Sequence, residues 1–297
     1  MGYIYLLCVA IMFSFGGTCV KLISPYFHAE YITFFRFAVG ICFLLLLKTA
    51  KRQRFCSDFR RSFRLLLGWI LFGAAAKWLA YLTENYALSQ GPSYGNIVTQ
   101  PAQTIFLTLS SVFLFHEKLS ARKLFCILLC MCGVLCISWN GRPLDAFFQK
   151  NILLTGLFIL SGTCAGCHVL AQKMISDRMD IIDSNLSIFA ISAVLALLPL
   201  IPGIRSTALA GVRPDLPCIL AITLFGFITG IGFYLNAKAI PLVPFYMVPI
   251  IQSMMAIFAI LWGVLFFHES ITGYIISGTA MFMVGLAGLQ MRKASNP

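Results

Sequence analysis

The chain has 297 residues, 60% of them hydrophobic and only 11% charged, with a mean hydropathy of +0.90. A soluble domain carries about a quarter charged residues, so a water-soluble enzyme or binding module is excluded and the surplus apolar surface must face lipid. The net charge of +12 resides in short loops between apolar stretches, the pattern of lysines and arginines that set membrane topology, not that of a nucleic-acid surface.

Crossing a hydrocarbon core takes about 20 apolar residues. Ten stretches of that kind follow one another near 2–23, 30–48, 65–88, 94–115, 121–139, 152–173, 184–204, 216–237, 245–267 and 271–291. The first has no charged leader or cleavage signature and reads as a retained helix, not a signal peptide. The connections are short and marked by Gly and Pro, as at Gln90-Gly91-Pro92, Gly141-Arg142-Pro143 and Pro202-Gly203, leaving no room for a soluble domain. Most of the eleven cysteines lie inside apolar runs, where cysteine acts as a small hydrophobe. Cys126 and Cys130, and Cys164 and Cys167, have helical spacing, yet no histidine or carboxylate joins the first pair. His168, beside Cys167, points to another helix face. No metal and no cofactor is expected. Gly-rich phosphate loops, HExxH helices and nucleophile elbows are missing from the sequence, so no catalytic residues and no ATP-driven pump are expected.

One stretch is written twice. Tyr86–Ser120 reads YALSQGPSYGNIVTQPAQTIFLTLSSVFLFHEKLS, and 152 positions later, without a gap, Lys238–Thr272 reads KAIPLVPFYMVPIIQSMMAIFAILWGVLFFHESIT. Eleven of the 35 positions are identical, including Pro92/Pro244, Tyr94/Tyr246, Gln100/Gln252 and His116-Glu117/His268-Glu269. The same shift maps Gly133 onto Gly285. Apolar composition would match Leu to Ile, but not Gln, Pro, His and Glu in register. The chain is therefore two related halves, 1–140 and 152–292, joined by a loop at 141–151 and followed by a tail at 293–297.

The loop after the second stretch carries Lys48, Lys51, Arg52, Arg54, Arg60, Arg61 and Arg64. Placing it in the cytoplasm puts fifteen Lys and Arg inside against five outside, with both termini cytoplasmic. Five helices per half is an odd number, so the second half enters the membrane inverted. The expected fold is an all-α polytopic membrane protein, ten transmembrane helices arranged as two inverted five-helix repeats. Such repeats set a binding site near the midplane, between halves that rock around it.

The segments LTLSSVFLFHEKLSARK and AILWGVLFFHESITG, with Phe34-Phe35-Arg36-Phe37, Ala87-Leu88, Pro101 and Leu119-Ser120, resemble the repeated signature of the drug/metabolite transporter superfamily, in its ten-helix branch with two EamA domains. The resemblance spans the whole chain. It implies a non-enzymatic secondary transporter of the bacterial cytoplasmic membrane that moves a small polar metabolite, most commonly an exporter of amino acids or related compounds. His116 and His268 depart from the family's usual glycine, and Ser253 from its second-half proline. Proton-coupled uptake shares every feature. A carrier of cationic drugs, choline-like or lipid-linked compounds is a second alternative, and a membrane-embedded enzyme or sensory scaffold a remote one. The partners expected are a small-molecule substrate, the lipid bilayer and protons as coupling ion, without nucleic acid, for a monomer or homodimer.

Ionisable groups inside a bilayer cost about 2.5–3.5 kcal/mol each on insertion scales, so they come first. Lys77 lies roughly 18 Å into the third helix at 1.5 Å per residue, near the midplane, and a lysine there points to a carboxylate or other anion. Tyr81 and Glu84 follow on the same face. Arg36 reaches a depth close to that of Glu84, which predicts an ion pair between the second and third helices. The 152 shift sets Thr229 opposite Lys77 and Asn236 opposite Glu84. Asn96, Gln100 and Gln103 form a polar stripe on the fourth helix, repeated by Gln252 in the ninth, with interhelical amide bonds as the plainer reading. Ser14, Thr18 and Lys21 share a face of the first helix.

Substrate contacts are thus expected from Lys77, Tyr81, Asn96, Gln100, Gln103, Thr229, Gln252 and Ser14. Glu84, Arg36 and His168 are expected to serve coupling or to hold structure, with His168 able to shuttle a proton near neutral pH. The His-Glu pairs read as hinges, their glutamates near the positive ends of helices capped by Ser120 and Thr272. Trp78, Tyr81, Tyr86, Tyr94, Tyr234 and Tyr246 would cage a cationic substrate or anchor the chain at the membrane interface.

Overall fold

Runs of Leu, Ile, Phe and Ala without charge satisfy their backbone polar groups in lipid only by closing on themselves, and these runs do so as helices. In the computed structural model, residues 1–52, 59–91, 93, 95–115, 121–139, 141, 152–176, 178–198, 214–239, 242 and 247–290 are described. The helices are α1 (Gly2–Ser14), α2 (Gly16–Ile23), α3 (Ala29–Ala50), α4 (Phe59–Gln90), α5 (Thr99–Phe115), α6 (Ala121–Trp139), α7 (Ile152–Ser176), α8 (Ile181–Leu197), α9 (Leu216–Phe227), α10 (Phe233–Ala239), α11 (Met247–Phe267) and α12 (Gly273–Gln290). No strand occurs among the described residues. Among the described residues, five helical stretches, Gly2–Ile23, Ala29–Ala50, Leu66–Gln90, Ile152–Gln172 and Leu216–Ala239, are long and apolar enough to cross a membrane, and four shorter apolar helices accompany them. Large apolar side chains such as Phe113 (74% exposed) and Leu216 (68%) point outward, as lipid-facing residues must.

Two of the long stretches are interrupted. At Phe15, between α1 and α2, Ser14 Oγ donates back to the Ile11 carbonyl at 2.6 Å, a bond that bends helices. Next to the break, a Cβ on Gly17 would lie 1.8 Å from the Ser93 carbonyl oxygen, so only glycine fits. Between α9 and α10 the chain makes one π turn, Ile228–Gly232, of the kind that recurs at functional sites. Gly226 and Gly230 let this segment lie against Val39 and Gly40 of α3, where any Cβ would come within 2.6 Å.

The packing repeats under the 152 shift. Helix α4 packs on α7 as the α9–α10 stretch packs on α1 and α2; α5 packs on α7 as α11 does on α1; α4 packs on α8 as α9 does on α3. The remaining main pairs, α6 with α12 and α3 with α8, are their own counterparts. At α6 and α12 this is visible residue by residue. Gly133 abuts Gly278 while Gly285 abuts Cys126, and Cys130 Sγ donates to the carbonyl of Phe282, its own repeat position. Rising numbers on α6 meet falling numbers on α12, so the two run antiparallel.

Several boundaries differ from the sequence expectation. Helix α4 begins at Phe59 and runs 32 residues, beyond the expected 65–88, because its basic first turns are still good helix formers. The fourth expected stretch enters through a 3₁₀ turn at Gly95–Val98 before α5 starts at Thr99. Asn96 therefore sits in that turn and not on a helical stripe with Gln100 and Gln103. Helix α8 starts earlier than expected, capped by Asp180, whose carboxylate accepts from Ile182 N at 2.9 Å. It ends at Leu197, and residues 199–213 lie outside the described residues.

Candidate functional site

Arg36 is locked in place from four sides. Its Nε donates to Thr229 Oγ1 at 3.0 Å, and its Nη1 lies 3.5 Å from Glu84 Oε2. Its guanidinium carbon is 3.3 Å from the centroid of the Tyr81 ring and 4.2 Å from that of Phe225. Planar guanidinium stacks on aromatic faces while its edge forms directed bonds, so one arginine joins α3, α4, α9 and the π turn. Thr229 Oγ1 in turn donates to the Phe225 carbonyl at 2.9 Å. The expectation that Thr229 would stand opposite Lys77 as a cavity residue gives way here, because its hydroxyl is fully buried and used by Arg36 and its own helix.

Lys77 is 4% exposed. Its Nζ sits 4.2 Å from the Tyr81 ring centroid and 4.0 Å from that of Phe233. Among the described residues, the ion pairs within 4 Å are Arg36–Glu84 and Lys48–Asp183, and Lys77 joins neither. Across from it on α7, His168 is buried, and its Nδ1 lies 3.2 Å from the Gly73 carbonyl oxygen. A carbonyl only accepts, so Nδ1 carries the proton and Nε2 is an acceptor. That Nε2 has no hydrogen-bond partner among the described residues, and neither does Asn96 Oδ1.

These groups border one cavity of about 140 Å³, room for roughly five water molecules. Arg36, Lys77, Tyr81 and Glu84 line it from α3 and α4; Asn96, Gln100 and Gln103 line it from the 3₁₀ turn and α5. His168 lines it from α7. Ser14 stands outside, donating to Ile11 and accepting from Trp262 Nε1 at 2.8 Å. The side chain of Gln252 lies outside the described residues. Sequence reasoning passed over Phe13, Ser161, Gln172 and Phe233, which also line the cavity, while Asn236, the repeat counterpart of Glu84, is in the wall as well. Gln172 was findable, one turn from His168 on the same helix face; its amide donates to Asn185 Oδ1 at 2.9 Å. Among the aromatics, Tyr81 lines the cavity, Tyr86 is 48% exposed, and Tyr234 bonds Lys51. Tyr94 and Tyr246 lie outside the described residues. Among the described residues no three His, Cys, Asp or Glu side chains converge as a metal site would require.

Contacts between the halves close the molecule at both ends of α3. At the end near Thr33, Glu269 accepts from Ser93 N and from Ser93 Oγ, both at 2.9 Å. Glu269, four residues before α12, thus also clasps the other half, while Thr272 accepts from Ile275 N at the start of α12. His116 and Glu117 lie outside the described residues. At the other end, Lys48 pairs with Asp183 and Lys51 donates to Tyr234 Oη. Lys48, read from sequence as a loop charge, is 3% exposed.

Comparison with known proteins adds the following. The EamA-like transporter family matches residues 1–139 and 153–291. No curated protein matches the chain. Among solved structures, one described only as the crystal structure of a protein superposes with a TM-score of 0.69 at 15% identity, covering 97% of this chain and 96% of that one. At that identity the likeness concerns the fold alone.

Proposed function

The chain belongs to the EamA-like transporter family, and from that premise we propose a secondary carrier that moves a small polar metabolite, an amino acid or related compound, out of the cell by alternating access. The proposed frame is ten transmembrane helices in two inverted repeats in the cytoplasmic membrane, with both termini inside. The observation that carries the reading is the cavity between the halves, lined by α1 to α5 on one side and α7, α10 and α11 on the other. Inverted repeats in carriers bind at such a junction. The closures at opposite ends of α3, Ser93–Glu269 and Lys48–Asp183, are the contacts that rocking would have to make and break. Lys77, Tyr81, Asn96, Gln100, Gln103 and Gln252 are proposed as substrate contacts, with Arg36 holding the frame. Glu84 is proposed as the coupling carboxylate, since protonating it would release Arg36.

A cation cage is disfavoured, because the faces of Tyr81 and Phe233 are already covered by Arg36 and Lys77. The test is counterflow: purified protein in liposomes preloaded with an unlabelled metabolite panel should concentrate the labelled member transiently and saturably. Folded protein that moves no panel member beyond the leak of empty liposomes would refute the carrier reading.

A further inference from the structure

The cavity carries three charged side chains, Arg36, Lys77 and Glu84. Arg36 and Glu84 offset one another, which leaves the Lys77 ammonium as one uncompensated positive charge. Of the ten acidic residues in the sequence, Glu84 alone lies in the interior of an apolar run. Among the described residues no second carboxylate lines the cavity to balance Lys77. Uncompensated charge away from water is costly, and a bound ligand is the remaining source of the missing negative charge.

Hydrogen bonding narrows the ligand further. His168 and Asn96 both line the cavity, and His168 Nε2 and Asn96 Oδ1 are acceptors that have no partner among the described residues. A buried acceptor left unpaired is destabilising, so the ligand should bring a donor as well as an anion. A halide or a plain alkyl carboxylate brings none. A free amino acid brings donors, but its ammonium cancels its carboxylate and leaves Lys77 unbalanced.

We propose that the cavity is a site for a small organic monoanion, a carboxylate that also carries a hydroxyl or amide N–H donor and lacks a free ammonium group. Hydroxy acids and N-acylated amino acids have this chemistry. The proposal deepens the carrier reading by naming the substrate class of the same cavity, yet binding alone tests it.

The experiment is a thermal-melt series on the purified full-length protein in detergent, with four forms of alanine as probes: the free amino acid, its N-acetyl derivative, its methyl ester and its 2-hydroxy acid counterpart. A ligand that binds the native state raises Tm by mass action. The N-acetyl and hydroxy acids should raise Tm, the ester should not, and the free amino acid should do so least among the acids. Lys77→Met should abolish the shifts while the unliganded protein melts at or above the wild-type Tm; Lys77→Arg, which keeps the charge, should retain part of them. Free amino acid or ester stabilising as well as the N-acetyl acid, or shifts unchanged in Lys77→Met, would overturn the proposal, as would the lack of any shift. Counterflow separates the two readings: free alanine moved independently of Lys77 sinks the charge argument and keeps the carrier, whereas Lys77-dependent binding without flux does the reverse.

Discussion

Arg36 does more structural work than any other charged residue described. Its guanidinium is sandwiched between Tyr81 and Phe225 and bonded at its edge to Thr229. Replacing it by methionine would leave Glu84 without its ion-pair partner, and breaking a buried pair by removing one partner costs about 3–5 kcal/mol. Arg36→Met should therefore lower Tm sharply, and Glu84→Gln in the same chain should recover most of the loss by removing the stranded charge. Arg36→Lys should rescue little, since an ammonium neither stacks as a plane nor keeps the Thr229 bond. Melting curves of the four proteins form a double-mutant cycle; an Arg36→Met protein that melts with the wild type would remove the pair from the frame. This ion pair was legible in sequence because depth along two spans is simple arithmetic. The Lys48–Asp183 pair was not. A charge at a span end has the same sequence signature whether it faces water or a neighbouring helix, and only the packing of α3 on α8 decides between them.

The elements meet through small residues. Lipid supplies no hydrophobic drive for helix association, so tight backbone contact has to. At α6 and α12 a Cβ on Gly278 would lie 2.7 Å from the Gly133 carbonyl oxygen and 2.9 Å from Ile137 N. Both are backbone atoms that cannot step aside. Gly278→Leu should part these helices and lower Tm by many degrees. Gly156→Ala on α7 meets nothing within 4 Å and should raise stability by up to ~1 kcal/mol through helix propensity alone. A Gly278→Leu protein as stable as Gly156→Ala would mean that α6 and α12 do not depend on close approach. The glycine code was only half readable. Gly133 and Gly285 stood out as repeat partners, but Gly278 repeats Cys126, and nothing in a single sequence marks a glycine pressed against backbone. The bend at Phe15 and the π turn were hidden for a related reason: hydropathy is continuous across both, and the interruption comes from the Ser14 side-chain bond and from the crossing with α3.

At the scale of the molecule, the proposed rocking would make the two ends of α3 alternatives to one another. Both contacts are made in this structure, and under that proposal a tilt that opens Ser93–Glu269 keeps Lys48–Asp183 closed, and the reverse. The sequence carried the repeat but not these closures, because Glu269 looked like its counterpart Glu117 and its partner Ser93 has Phe245 at the matching position. The Ser93 hydroxyl that bonds Glu269 thus has no counterpart in the sequence of the other half. Hydrogen–deuterium exchange on the protein in lipid nanodiscs tests the linkage between the ends. Backbone amides open with free energies that follow local packing, and a ligand shifts the balance only by its preference for one arrangement. Adding a ligand that raises Tm should protect the segment around Ser93 and Glu269 while deprotecting the α3 and α8 ends that carry Lys48 and Asp183, or the reverse. Glu269→Gln, which weakens the bonds to Ser93, should bias the unliganded protein towards the arrangement that is open at the clasp, with increased exchange there and decreased exchange at Lys48. Equal protection at both ends in every condition would mean that the halves close on the cavity together, and the rocking mechanism would have to be replaced by gating within each end.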